Sequence, residues 1–326
     1  MTLVTDPYGR RLEGLRVSVN AECNFDCVFC HMEGIDKNEK LLRPEDYKLI
    51  AVAFKQLGGE EVKVTGGEPL LRPDIVEIVK SFTGEGLKTS MTTNGFLLPR
   101  YAWGLKEAGI HHVNISLHSM DPVLFKRLTG GDLERVLKGI RTAIEAGVRV
   151  KLNYVALREN EGELPRVIEY AGKIGADINI IQLMPIFIQT ENGQRKVRIN
   201  LTRWRKLDSS IERVEKYLAE KALRVGRKKP HNRRVYYLPQ GVRATVIRGY
   251  DNPFACYNCT RIRITPDAKV KTCLYSENPY VDLKPALDSG DITRVKLLLA
   301  RAVSLRRPRF PPPSITSIQP PGAGRR

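Results

Sequence analysis

The chain has 326 residues, 42% hydrophobic and 28% charged, with six cysteines and a formal net charge of +18. That length allows one large α/β barrel or two or three smaller units, and the composition can bury a core, which excludes global disorder. With no run of about 18 apolar residues and no apolar signal core in residues 1–11, neither a membrane span nor a secretory peptide is expected, and the positive balance favours a polyanionic partner.

Along the first half, short β-rich runs alternate with helical ones. Strands are predicted at Leu15–Val19, Glu61–Thr65, Lys88–Thr92, His112–Ser116, Arg149–Tyr154 and Asp177–Leu183. Helices are predicted at Pro44–Leu57, Pro73–Phe82, Pro99–Ala108, Leu133–Ala146 and Glu163–Gly172. Several carry proline in the first turn and glycine just past the end. Each strand plus helix takes roughly 30 residues, the size of a βαβ unit. Six in series predict an α/β fold whose parallel sheet curls toward a barrel.

After Met184 the rhythm breaks. Thr202–Ala222 reads as an amphipathic helix, and residues 224–234 form a basic run, read as solvated. Short β-like runs follow at Val235–Leu238, Val242–Ile247 and Lys269–Thr272, and a last helix at Asp291–Leu305. From Arg306 the chain is rich in Pro, Ser and Gly without periodicity, so an irregular tail, dispensable for folding, is expected. The implied division is 1–200, 201–305 and 306–326.

Six cysteines are too few for a disulfide scaffold in a chain this long, and they fall into two triplets that suit metal sites in a reducing cytoplasm. Cys23, Cys27 and Cys30 follow directly on the first strand. In a parallel barrel that places them at the C-terminal face, where active sites are built. Three thiolates leave one iron of a four-iron cluster open for another ligand. A zinc site completed by His31, or three buried structural cysteines, are the alternatives at this point.

The run Cys23-Asn-Phe-Asp-Cys-Val-Phe-Cys30 resembles the signature of the radical S-adenosylmethionine (SAM) superfamily. A second match, Thr65-Gly66-Gly67-Glu68-Pro69, sits at the end of the next strand. Its glycines allow close approach of backbone to a ligand, and the Glu68 carboxylate or nearby carbonyls can hold an ammonium group. The resemblance implies that SAM binds the open iron of a 4Fe–4S cluster, with Phe29 near its adenine. It further implies SAM contacts from Ser116 and Met184.

The second triplet, Cys256, Cys259 and Cys273, shows no evident fourth ligand and lacks the second Cys-x2-Cys pair of a zinc ribbon. With the segment Cys259-Thr-Arg-Ile-Arg263, the whole resembles the GTP 3′,8-cyclase family, also called molybdenum cofactor biosynthesis protein A, over residues 6–300. The implied fold is a partial (β/α)6 TIM-like barrel whose C-terminal extension carries a second 4Fe–4S cluster. The implied GTP pocket is lined by Arg16, Lys63, Thr92, Lys151, Arg261 and Arg263, with the main chain around Ile262. Arg16, Lys63 and Lys151 lie inside β-runs, where an inward charge without a partner would be costly.

The implied reaction is that of a lyase in the cytoplasm. A 5′-deoxyadenosyl radical takes the C3′ hydrogen of GTP, C3′ then attacks C8, and 3′,8-cyclo-7,8-dihydro-GTP results, the first step of molybdenum cofactor biosynthesis. The implied partners are a ferredoxin- or flavodoxin-like electron donor, cyclic pyranopterin monophosphate synthase downstream and a second copy as an optional homodimer, with no membrane. Three positions depart from the family: Asn179, where bacterial members often have arginine, His118 in place of aspartate, and no terminal Gly-Gly pair. A peptide-modifying radical SAM maturase is one rival reading, which Arg261-x-Arg263 opposes. A zinc and nucleic-acid-binding protein is another, opposed by the lack of stacking residues within the basic run.

Overall fold

Five strand–helix units and a sixth strand occupy the first half, in the computed structural model, which describes residues 4–32, 41–184, 204–228, 231–250, 252–275 and 281–308, and the backbone alone at 188–189, 195–196 and 201–203. They run β1 (Gly14–Ser18), α1 (Pro44–Gln56), β2 (Glu61–Thr65), α2 (Ile75–Thr83), β3 (Lys88–Thr93), α3 (Leu98–Glu107) and β4 (His112–Ser116). There follow α4 (Pro122–Thr129), α5 (Leu133–Glu145), β5 (Val150–Ala156), α6 (Leu164–Lys173) and β6 (Asp177–Gln182). Sequence reading missed α4, although its signals are present. Asp121 caps it by accepting from Leu124 N–H at 2.7 Å, Pro122 opens it, and Gly130 ends it in the left-handed region at φ 73°.

The second half adds the paired fragments β7 (Ile188–Gln189) and β8 (Arg195–Lys196), then α7 (Leu201–Leu207) and α8 (Ile211–Lys221). The single helix expected over 202–222 is therefore two. Asp208 leaves the helix to bridge Leu157, and Ser210 caps the next one. The basic run, expected to be solvated, folds as an antiparallel hairpin of β9 (Arg224–Lys228) and β10 (Arg233–Tyr237). The chain continues with β11 (Arg243–Ile247), α9 (Pro253–Tyr257), β12 (Arg261–Ile264), β13 (Lys269–Lys271), β14 (Val281–Asp282), α10 (Lys284–Asp288) and α11 (Ile292–Ser304).

The strands make one sheet in the order β14-β13-β12-β1-β2-β3-β4-β5-β6-β11-β10-β9. Consecutive parallel pairing from β1 to β6 is the expected barrel wall. The extension lengthens that wall, because β12 pairs parallel to β1 and β11 pairs parallel to β6. Only the outer strands are antiparallel. Alternation sorts each strand, as in β5. Leu152 and Tyr154 are buried in the hydrophobic core, while Asn153 and Val155 line the barrel cavity. Of the segment read as tail, Arg306 is 2% exposed, and residues 309–326 lie outside the described residues.

Candidate active site

The loop after β1 is held against the loop after β2 by two backbone hydrogen bonds and one side-chain amide. Gly67 N–H donates to Asn20 O at 3.0 Å, Glu68 N–H to Glu22 O at 2.7 Å, and the Asn20 amide to Glu68 O at 2.8 Å. Here Gly66 and Gly67 earn their place differently from the expectation. A Cβ at Gly67 would fall on the Glu22 carbonyl, and one at Gly66, which has φ 156°, on Asn20. The close approach is thus between two loops. Glu68 is also engaged internally: its buried carboxylate accepts from Leu70 N–H (3.0 Å), Thr93 Oγ1 (2.7 Å) and Asn94 N–H (2.7 Å). Burial raises its pKa to about 7 against the pull of these donors.

The first triplet rides on this joint. Asp26 and Val28 N–H donate to the Thr129 and Leu128 carbonyls at the end of α4. Phe25 N–H points at Cys23 Sγ (3.4 Å) and Met32 N–H at Cys30 Sγ (3.3 Å), donors that favour a charged sulfur. Even so, Cys23 and Cys27 resist ionisation. Burial first, then the neighbouring thiols, push Cys27 above the ordinary thiol range, and burial does the same to Cys23. Three mutually repelling thiolates suit a cationic cluster, which neutralises them together. Among the described residues no three His, Cys, Asp or Glu side chains meet tightly enough to ligate a single ion.

The second triplet faces the same cavity of about 430 Å³. Cys256 lies on α9, Cys259 just before β12 and Cys273 just after β13. Arg10 Nη1 donates to Cys256 O at 2.7 Å and Arg306 Nη1 to Cys259 O at 3.4 Å, and Asp6 bridges the two guanidiniums at 2.7 and 3.1 Å. Burial alone would raise the Cys259 thiol. The Arg261 guanidinium and backbone N–H, with Arg306 and Arg10, more than offset it and leave the group below its usual value. Thiolate ligation at this position is electrostatically prepared.

Between the triplets runs a row of cations fixed by strand register. Arg16 on β1 stands opposite Lys63 on β2 and Arg263 on β12, and Arg261 lies two residues before Arg263 on the same face. All four line the cavity, with Thr92, Phe29, Ser116 and Met184. Gly249 gives Met184 its room, since a Cβ there would press on the sulfur. One expected residue is elsewhere, and at Ile262 only the main chain was expected to take part. Lys151 is not on the cavity wall and is influenced by Lys228, Asp177 and Arg149. The Ile262 side chain is fully buried in the core behind β12, as alternation between two inward arginines requires.

The departures acquire structural roles. His118 is 2% exposed, accepts from Val155 N–H at Nδ1 (3.1 Å) and meets Phe29 edge-on at 4.6 Å, and burial lowers its pKa to about 3. It is a neutral imidazole with its proton on Nε2. Asn179 donates to Asn153 (2.9 Å) and Asn114 (3.3 Å), a polar layer across three strands. Sequence reasoning missed His231 and Arg233, which line the cavity from the hairpin and were read as part of a solvated run.

Family models described as "Radical SAM superfamily" and "Molybdenum Cofactor Synthesis C" match residues 17–171 and 176–311. A probable GTP 3′,8-cyclase of Sulfurisphaera tokodaii is 40% identical over 314 residues, covering 94% of this chain and 96% of that protein. One from Aeropyrum pernix is 40% identical over 323 residues, covering 94% and 88%. Among solved structures, Streptococcus suis SuiB bound to S-adenosylmethionine aligns with a TM-score of 0.63 at 17% identity, over 88% of this chain and 66% of that one. The structure titled native anSMEcpe with bound AdoMet gives 0.57 at 14%, over 82% and 77%. At those identities the likeness is one of fold.

Proposed function

Because the chain belongs to the GTP 3′,8-cyclase family of the radical SAM superfamily, we propose that it converts GTP to 3′,8-cyclo-7,8-dihydro-GTP in molybdenum cofactor biosynthesis. The observation that carries this reading is one cavity with a cysteine triplet at each side and a row of cations between them. When bound, a 4Fe–4S cluster and SAM supply the electron and the radical chemistry. Cys23, Cys27 and Cys30 would hold that cluster, and Cys256, Cys259 and Cys273 a second one.

The chain's own residues bind, orient and exclude. Phe29, Ser116, Met184 and the carbonyls around Gly66 and Gly67 would position SAM, since the Glu68 carboxylate already has three donors. Arg16, Lys63, Arg261 and Arg263 would hold the triphosphate or purine edge, as guanidinium forks suit phosphate. Thr92 would add a hydroxyl. Held from both ends, the nucleotide presents its sugar in one orientation, which is where proximity lowers a barrier. An electron donor of ferredoxin or flavodoxin type, cytoplasmic residence and a downstream pterin-forming synthase follow from the same family reading.

Anaerobically reconstituted protein should hold about eight irons, four per cluster. Given SAM, GTP and reductant it should release 5′-deoxyadenosine and cyclised nucleotide. Cys256→Ala should keep about four irons and SAM cleavage while losing the cyclised product. Stoichiometric zinc in place of iron, or SAM cleavage with GTP left intact, would overturn the proposal.

A further inference from the structure

The hairpin of β9 and β10 ends one edge of the sheet and β12 lies near the other, yet the two meet over the cavity. Arg261 Nη2 is 3.2 Å from His231 Nε2. No strand pairing joins β9 or β10 to β12, β13 or β14 among the described residues, so side chains alone bridge this seam. An arginine has donors and no acceptor, so His231 Nε2 must be the accepting nitrogen. The imidazole proton is then on Nδ1. That Nδ1 is buried in the cavity wall and has no hydrogen-bond partner among the described residues. A donor is held ready with no acceptor among the described residues.

Arg233, two residues on, faces the same volume. Its neighbour Arg234 turns outward and pairs with Glu215 at 3.0 Å, as strand alternation requires. Burial and the repulsion of Arg261, only partly offset by the pull of the Cys259 sulfur, lower the Arg233 pKa to about 10. Lys63 feels Arg233 and Arg261 together with Arg16. Strands from both ends of the sheet therefore press cations and one imidazole N–H into a single pocket, whose complement is a small ligand with several negative oxygens.

Resting on GTP as the substrate, we infer that Arg233 and the Nδ1–H of His231 bind phosphate oxygens of the nucleoside triphosphate, opposite Lys63 and Arg16. The hairpin is thus part of the substrate site. A purine edge is a poorer fit, since it would leave most of this positive charge without a counterion.

The test is equilibrium binding of GTP and of guanosine to the anaerobically reconstituted full chain. Arg233→Ala should weaken GTP about 10–100-fold, as loss of one charge-assisted bidentate contact does. Guanosine affinity should stay within about twofold, because guanosine has no phosphate to lose. His231→Ala should weaken GTP by roughly three- to tenfold, and Arg233→Lys should recover part of the loss. Arg227→Ala, exposed on the same hairpin, should change neither ligand. Equal loss of GTP and guanosine on Arg233→Ala, or unchanged GTP affinity in the Arg233 and His231 variants, would overturn the inference while leaving GTP as substrate. A parent protein that binds neither nucleotide would instead remove the substrate assignment itself.

Discussion

Lys63 carries its amine among Arg16 of the adjacent β1, Arg261 of β12 and Arg233 of the distant β10, and burial, followed by these cations and Lys151, lowers its pKa from 10.5 to about 7. A triphosphate beside it would reverse the shift. Above pH 7 the free protein therefore holds Lys63 largely neutral, and binding GTP must bring a proton with it. We expect calorimetry at pH 8.5, in buffers of different ionisation enthalpy, to show uptake of about one proton per GTP. Lys63→Arg should abolish that uptake, and at pH 6 it should be absent in the parent. Without ligand the sign for folding is the opposite of a stabilising charge: the unfolded chain holds this proton more tightly, so stability rises as pH climbs from about 7 to 10.5. The inward charges of β1 and β2 were legible in the sequence because a cation inside a β-run has to face something polar, whereas Arg261 and Arg263 of β12 were legible only through the family resemblance. His231 and Arg233 were not, because a run of basic residues looks the same whether it is solvated or half of it faces a cavity.

At the scale of elements, periodicity exposed the five strand–helix units and the sixth strand, since each unit needs a two-residue alternation followed by a 3.6-residue one. The pairing of β12 with β1 left no such trace. Four residues, Arg261 to Ile264, are too few for a pattern, and their partner lies on the far side of the chain. The helices are held to the sheet by contacts of different tolerance. Gly139 lets α5 touch the backbone after β3: a Cβ there would fall on Gly95 O and lie 3.3 Å from Leu98 Cβ. Gly139→Ala should destabilise the fold by about 1–3 kcal/mol, the usual result of overpacking against backbone, visible as a lowered Tm. Gly95 follows Asn94, whose side chain reaches Asn24 at 2.8 Å and whose N–H holds Glu68. The same variant should therefore also weaken SAM binding, measured by titration below the transition. Unchanged Tm would show that α5 can shift outward freely.

On the scale of the whole molecule, Asp6, Arg10 and Arg306 join the beginning and end of the described chain beneath the second triplet. Arg306 also donates to the carbonyls of Arg10 and Arg11, and its side chain is 2% exposed. Arg306→Ala removes one donor from each of these carbonyls, of which Arg10 O keeps the Asp6 N–H, at a cost of about 1–3 kcal/mol in all before relaxation. Lowered denaturation midpoint together with altered absorption of the cluster proposed at the second triplet is the expected outcome. A midpoint equal to the parent's would show the joint to be dispensable. Arg306 was read as the start of a structureless tail because its anchoring partners are about as distant in sequence as the chain allows, and no local pattern records them.

The tie between Arg10 and Cys256 spans 246 residues, and that between Arg306 and Arg10 spans 296. On a ribosome this imposes an order of events. The first triplet can settle as soon as α4 has emerged, since Leu128 and Thr129 hold its loop. The outer side of β1 must wait for β12, and meanwhile presents unpaired backbone groups, the kind of edge on which nascent chains associate wrongly. Last to arrive is Arg306, and only then are the carbonyls of Cys256 and Cys259 both held. A chain truncated before Arg306 should therefore keep its first cysteine site while its second lacks the Arg306 donor to Cys259 O, which limited proteolysis of the two loops would check.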